Sequence, residues 1–409
     1  MPDNPDTTGL KQLTAGTIQN PFARLRALLK DIPPGKNPPI DLTLGEPHET
    51  PPDFISDEIE TNKTLFEKYP SIRGRSELRG AIATWLTRRY KLTPGTIDPN
   101  TEILPCNGSR EGLFFACLPA VGRKTTTQKP AVLMCNPYYA AYIGAALATN
   151  AQPVYLNATQ DTGFLPDLDD LQKHTQLLAR AAAFYLCSPA NPQGAIASKD
   201  YLTRALDLAR RYDFMLFIDE CYSEFFNDLT PPGGLEVAAQ TPEKFKNIVI
   251  FNSLSKRSNL TGLRSGFCAG DHEFLKKLEQ VRNLVAPQMP GPTQIASAKV
   301  WSDETHVEQN RAAYRQKYAI CDQILKNRYT YKRPAGGFFL WLNMAHFGGS
   351  SEAAVTLWQH AGVRVLPGAF LAQPDHHGHN PGADYIRLAL VYEKAVIKEA
   401  LERTVSVLA

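Results

Sequence analysis

The run Ile248-Val-Ile-Phe251-Asn-Ser253-Leu-Ser255-Lys256-Arg-Ser-Asn-Leu-Thr-Gly262-Leu-Arg264-Ser-Gly266 decides the fold. An apolar, strand-like stretch ends at Phe251. Two hydroxyls precede a single amine, and an arginine follows that amine eight residues later. A lysine at a strand end can form a Schiff base with an aldehyde. Ser253, Ser255 and Arg264 together can hold a doubly charged phosphate. A small molecule that carries both groups is pyridoxal 5′-phosphate (PLP). The same residues also suit a plain surface loop, so the reading rests on what surrounds them.

Working outward, short apolar runs recur with helix-like segments between them. They are Ala131–Cys135, Pro153–Leu156, Ala182–Cys187, Met215–Ile218, Ile248–Phe251 and Gly266–Ala269. Continuous apolar runs of this length predict strands covered on both faces. Leu168–Arg180 and Tyr201–Tyr212 read as amphipathic helices between them. The alternation predicts an α/β domain with a mostly parallel sheet, whose ligand lies beyond the carboxyl ends of the strands. The final third differs. Asp303–Lys326 reads as one long charged helix, and Gly337–Leu342 and Tyr385–Leu390 as strands around a helical segment near Glu352–Ala361. The Pro- and Gly-containing stretch Val285–Thr293 marks a boundary. The expected division is an N-terminal segment, 1–48, packing with the C-terminal unit; a large domain, 49–292; and a small α+β domain, 293–409.

Composition sets limits. A chain of 409 residues is too long for one small core. Hydrophobic content of 43%, charged content of 21% and a net charge of +3 are ordinary for a soluble enzyme, and point to neither nucleic acid nor membrane. The seven cysteines are scattered without a CxxC pair, against both a disulfide framework and a zinc site. The first thirty residues show no signal peptide, and Ala140–Ala148 is too short to span a bilayer. A cytoplasmic protein is expected. In a Pro/Gly-rich stretch, Asp375-His376-His377-Gly-His379 reads as a solvated loop rather than a metal site.

Polar residues of interest follow several strand ends. Asn107-Gly108-Ser109-Arg110 opens a helix and presents free N–H groups and a hydroxyl to an anion, or simply caps that helix. Pro137-Tyr138-Tyr139 offers an aromatic face to a flat ring, or two core tyrosines. Ser188-Pro-Ala-Asn191-Pro192-Gln193-Gly194 is turn chemistry. Asp219-Glu-Cys-Tyr222 places a carboxylate at a buried strand end, where a protonated pyridine or a structural arginine would serve as partner.

In this order the motifs resemble those of the class I/II aminotransferases, PLP enzymes of fold type I. The resemblance runs from Gly45-Glu-Pro47 through Tyr69, Gly108-Ser109, Asn191-Pro192, Asp219-x-x-Tyr222 and Ser253-x-x-Lys256 to Arg264 and Arg387. It implies that Lys256 is the Schiff-base lysine and proton shuttle, and that Asp219 is the pyridinium partner. Tyr222 and Asn191 are implied as donors to the ring oxygen, and Tyr139 as the stacking residue. Gly108, Ser109, Ser253, Ser255 and Arg264 are implied as the phosphate cup. Arg387 is implied to bind the substrate α-carboxylate, next to Gly45. Tyr69 is implied to reach the phosphate from the neighbouring subunit of a homodimer. Arg110 stands where many relatives carry an uncharged residue or a lysine, and it can serve the phosphate, a substrate acid or neither. Ser188 and Gln193 depart from the family's Asn-Pro-x-Asn-Pro-Thr-Gly pattern at turn positions.

Leu104–Phe115, Asn252–Leu260, Val365–Leu371 and Asn380-Pro-Gly382 resemble the succinyldiaminopimelate aminotransferase branch. That implies transfer of an amino group from glutamate to N-succinyl-2-amino-6-oxopimelate, in lysine and diaminopimelate synthesis, by a ping-pong mechanism. An aspartate or aromatic aminotransferase or a C–S lyase uses the same scaffold. A PLP-sensing regulator would carry an added DNA-binding module, which is not visible.

Overall fold

A computed structural model describes residues 9–14, 18–375 and 377–409. Its centre is a seven-stranded sheet. After a two-residue strand, Ile40–Asp41 (β1), come β2 (Ile103–Cys106), β3 (Ala131–Asn136), β4 (Gln152–Asn157), β5 (Ala181–Cys187), β6 (Met215–Asp219), β7 (Ile248–Ser253) and β8 (Gly266–Gly270). The spatial order is β2-β8-β7-β6-β5-β3-β4. The pairs among β3 to β7 are parallel, and β8 runs antiparallel to both of its neighbours. Six of the seven strands therefore end on one edge. Strands β5, β6 and β7 are buried at every position, which is why they read as unbroken apolar runs rather than alternating ones.

Two apolar layers cover the sheet. One holds Trp85, Leu202, Leu206, Ile218, Ile250 and Trp301; the other holds Leu113, Tyr142, Tyr185, Phe217 and Phe251. The helices of these layers start where side chains take up free N–H groups. Ser198 accepts from Tyr201 N, and Asp271 from Phe274 N. A third core, with Leu340, Leu342, Ile386, Leu388 and Leu401, underlies β9 (Phe339–Asn343), β10 (Val363–Arg364), β11 (Leu366–Pro367) and β12 (Tyr385–Ala389). Strand β12 lies between β11 and β9, and β1 pairs with β10. Leu25 and Leu29, from the helix Pro21–Leu28 and its C-cap, pack on Trp358, Leu366 and Leu371.

Two details differ from the sequence expectation. Val300 and Trp301 pack into the sheet-side core, so the helix Gly291–Ser302 stays with the sheet and the chain leaves it later than residue 292. The segment expected as one helix over 168–180 forms two, Leu168–Leu171 and Thr175–Arg180. The first is capped by Asp167, and the polar residues 172–176 bury nothing that would hold a continuous turn. The Asp375 turn is closed by its carboxylate, which accepts from His377 N and His379 N; His376 lies outside the described residues. Among the described residues no group of three His, Cys, Asp or Glu is placed to hold a metal ion, and no helix is long and apolar enough to cross a membrane.

Glu224, two residues beyond Tyr222, binds two arginines from different layers. Arg89 Nε lies 2.7 Å and Arg311 Nη2 2.8 Å from its carboxylate oxygens. Glu224 is buried, so removing it leaves the Arg89 guanidinium without its anion and Arg311 with only the exposed Glu308. Glu224→Ala should lower the unfolding free energy by about 3 kcal/mol, read from denaturant midpoints at unchanged slope.

Candidate active site

The polar strand ends converge on a cavity of about 790 Å³ at the carboxyl edge of the sheet. Its wall includes Gly45, Ser109, Arg110, Tyr139, Asn191, Asp219, Tyr222, Ser253, Ser255, Lys256, Arg264 and Arg387. Gly108 lies directly behind Arg264. Of the residues expected at the site, Tyr69 is the one that this chain does not bring there. It is 97% exposed and outside the cavity wall.

Lys256 sits in the short helix Leu254–Arg257, which starts as β7 ends. Ser253 caps that helix: its Oγ accepts from Ser255 N at 3.0 Å and donates to Ser265 O at 3.0 Å. The hydroxyls of Ser253 and Ser255 are 2.8 Å apart. Lys256 Nζ donates to the carbonyl of Gly45. Burial lowers its pKa to about 8, with Arg387 and Arg264 adding to the effect and Cys221 and Glu46 opposing it. The neutral amine, which is the nucleophile, is thereby populated near neutral pH.

Asp219 ends β6. Its Oδ2 accepts from Tyr142 Oη at 2.8 Å and its Oδ1 from Cys221 N at 3.2 Å. Burial raises its pKa, against the pull of those donors. Among the described residues no cation pairs with it. A protonated ring nitrogen fits that vacancy of charge, because an adjacent cation would restore the ionised form.

Arg264 takes a left-handed backbone, φ +57°. Its Nη1 reaches Thr261 O at 2.8 Å and Ser255 Oγ at 3.4 Å, and its Nη2 reaches Asn107 O at 3.3 Å. A Cβ on Gly108 would lie 2.2 Å from Arg264 Nη2, and Gly108 itself has φ +80°. The glycine is needed for both reasons. Guanidinium, two serine hydroxyls and the start of the helix Ser109–Gly122 suit a phosphate dianion. The donor set therefore fits PLP.

Arg387, on β12, is 5% exposed. Nη1 donates to Asn191 Oδ1 at 3.1 Å and Nη2 to Thr43 O at 2.7 Å, while Nε has no partner. The guanidinium lies 4.4 Å from the centroid of the Phe339 ring. Burial lowers its pKa to about 10, opposed by Tyr222. A buried, incompletely bonded guanidinium is a ready site for a carboxylate. Tyr222 packs edge-on against Phe338 and Phe339, and burial raises its pKa. Arg110 is exposed, and its Nε donates to Tyr139 Oη at 2.5 Å.

Several contributors carry no sequence signature. Tyr142 holds Asp219 from within an Ala-rich helix, where only its hydroxyl hinted at a polar task. The strap 43–49 acts through two backbone carbonyls and two carboxylates. Thr43 O and Gly45 O receive Arg387 and Lys256, Glu46 accepts from Thr261 Oγ1 at 2.8 Å, and Glu49 pairs with the buried Lys317 at 2.7 Å.

Two outcomes are expected. Capture of PLP by the cofactor-free protein, followed by absorbance, should accelerate with pH about a midpoint near 8, because the neutral Lys256 amine is the reactive form. Gly108→Ala should weaken PLP binding by at least about tenfold in equilibrium dialysis, from displacement of Arg264, while the far-ultraviolet circular dichroism stays unchanged.

Comparison with known proteins agrees with this geometry. A solved aminotransferase from Neisseria meningitidis superposes with a TM-score of 0.90 at 37% identity, covering 96% of this chain and 98% of that one. The aminotransferase AspB from Helicobacter pylori gives a TM-score of 0.85 at 34% identity, over 95% and 98% of the two chains. Among curated proteins, the LL-diaminopimelate aminotransferase of Syntrophobacter fumaroxidans is 29% identical over 89% of this chain and 90% of its own length. The 4-dedimethylamino-4-oxo-anhydrotetracycline transaminase OxyQ of Streptomyces rimosus is 30% identical over 89% and 92%. The family model "Aminotransferase class I and II" matches residues 37–403, and the chain belongs to that family of PLP-dependent enzymes, which act on amino and keto acids.

Proposed function

We propose that this aminotransferase moves the amino group of glutamate to N-succinyl-2-amino-6-oxopimelate, in two half-reactions at one site. The observation that carries the reading is Arg387, a buried guanidinium with an unpaired Nε in the same cavity as the Lys256 amine. It gives both substrates one place for the α-carboxylate beside the reacting carbon. When bound, PLP supplies the electron sink for charge that develops at that carbon.

The chain's own groups do the rest. Arg264, Ser109, Ser253 and Ser255, with the Gly108 turn, hold the phosphate. Asp219, steadied by Tyr142, keeps a proton on the ring nitrogen. Asn191 and Tyr222 donate to the ring oxygen, and Tyr139 covers the ring face. Asn191 also orients Arg387, and Gly45 lines the space beside the substrate. Lys256 takes the proton from the substrate Cα and returns it on the other side of the exchange.

Relatives named LL-diaminopimelate aminotransferase support a place in diaminopimelate and lysine synthesis. The succinylated acceptor is supported by segments 104–115, 252–260, 365–371 and 380–382. The OxyQ relative is as similar as the others, so identity by itself does not select a substrate. The names of the relatives favour a second reading, in which the unsuccinylated compound is used. The test compares kcat/KM for the succinylated keto acid with those for oxaloacetate and phenylpyruvate. It also follows turnover of LL-diaminopimelate with 2-oxoglutarate. A preference for the succinylated acid is expected. Turnover of LL-diaminopimelate without use of the succinylated acid would establish the second reading. Arg387→Ala should cut every one of these activities by about a thousandfold.

We also infer a C2 homodimer with shared sites. Tyr69 and Phe66 are exposed, as are Leu284 and Val285 at the end of the helix His272–Val285. Arg73 ties the Tyr69 segment to that helix through Glu279 at 2.5 Å. Sedimentation should give twice the chain mass, and Tyr69→Ala should loosen PLP. A fully active monomer would refute the dimer.

A further inference from the structure

Phe164 combines features that the chemistry above does not require. Its backbone is left-handed, φ +60°, directly after a left-handed Gly163 at φ +64°. A bulky side chain keeps that conformation only where its surroundings enforce it, and such sites gather around function. The turn is fastened on itself. Phe164 N donates to Thr159 O at 2.7 Å, and Thr159 N to Thr162 Oγ1 at 3.1 Å. The ring so placed forms part of the wall of the Lys256 cavity.

The ring meets Tyr385 edge-on, with centroids 6.2 Å apart and planes at 88°. Tyr385 lies two residues before Arg387 on β12, so the two side chains share a face of that strand. The Tyr385 ring is stacked on Trp341, with centroids 5.0 Å apart and planes at 2°. Its hydroxyl donates to Gln160 Oε1 at 3.4 Å. A turn of the sheet-side unit is thus joined to the strand that carries the arginine. Phe22, Leu44, Leu165 and Phe370 continue the same apolar wall.

We propose that Phe164 determines substrate specificity: the side chain of an amino or keto acid held by Arg387 lies against its ring, so the site favours chains of several methylenes or an aromatic ring over a four-carbon dicarboxylate. The inference rests on Arg387 as the carboxylate site and is independent of whether the natural acceptor is succinylated. A fixed ring in the wall of the cavity that Arg387 also lines removes apolar chain from water and gives a short acid less to pack against.

The test measures kcat/KM for 2-oxohexanoate, phenylpyruvate and oxaloacetate in the wild type and in Phe164→Ala, Phe164→Leu and Phe164→Gly. The wild type should prefer the first two. Phe164→Ala should lower kcat/KM for both by about tenfold, mainly through KM, and leave oxaloacetate within about twofold. Phe164→Leu should recover most of the 2-oxohexanoate activity. Phe164→Gly should show the selectivity of the alanine variant with an equal or higher Tm, because glycine accepts the left-handed backbone. PLP content, read by absorbance, should be unchanged throughout. Preference of the wild type for oxaloacetate, an equal fall on all three acids, no fall on any, or loss of PLP would each overturn the proposal. None of these probes is succinylated, so the result is separate from that of the acceptor screen.

Discussion

Parallel strands buried on both faces cannot carry charged side chains along their length, because neither face offers water or a partner. This constraint organises the molecule. Strands β5, β6 and β7 are apolar at nearly every position and turn polar as they end, at Ser188, Asp219 and Ser253. Since all three run the same way, the polar groups collect on one edge. Antiparallel β8 contributes from its opposite end, and the residues just before it, Arg264 and Ser265, reach the same edge. The site is therefore a product of strand direction before it is a product of any one side chain.

The second organising feature is electrostatic. Among the described residues the cavity holds a carboxylate without a paired cation, Asp219, and cations that rest on backbone carbonyls, Lys256 and Arg387 among them. Burial pushes each of the three towards its neutral form. A pyridinium would supply the charge that Asp219 lacks, a substrate carboxylate that of Arg387 and a phosphate that of Arg264, while Lys256 remains available as a neutral amine. Protein and ligands are thus complementary in charge as well as in shape.

How much of this was legible in the sequence follows from where each signal resides. Strand runs and the Ser253–Lys256–Arg264 spacing are local, so the sheet and the grouping of two hydroxyls, an amine and a guanidinium at one cavity can be read directly. Arg387 became readable only through family resemblance, since nothing within its strand marks it apart from other strand arginines. Tyr142 and Thr43 were invisible, because one acts through a hydroxyl in an apolar helix and the other through its carbonyl. The helix Gly291–Ser302 lies almost wholly beyond the boundary expected at 292, yet it packs with the sheet-side core. A Pro- and Gly-containing stretch records where the chain bends, whereas Val300 and Trp301 decide where it packs. The left-handed Phe164 gives no sequence warning beyond the glycine before it.

The strap of residues 43–49 bears on how this enzyme can diversify. It meets Arg387 and Lys256 with the oxygens of Thr43 and Gly45, atoms that every amino acid possesses. Between those two contacts sits Leu44, 51% exposed and part of the cavity wall. The two hydrogen bonds use no side chain of the strap, although a Cβ at Gly45 would lie 2.5 Å from the Phe339 ring, and the position between the anchors lines the cavity. Replacement at Leu44 can reshape the cavity without touching either backbone contact. A single substitution there can therefore alter what the cavity accepts while both backbone anchors stay in place.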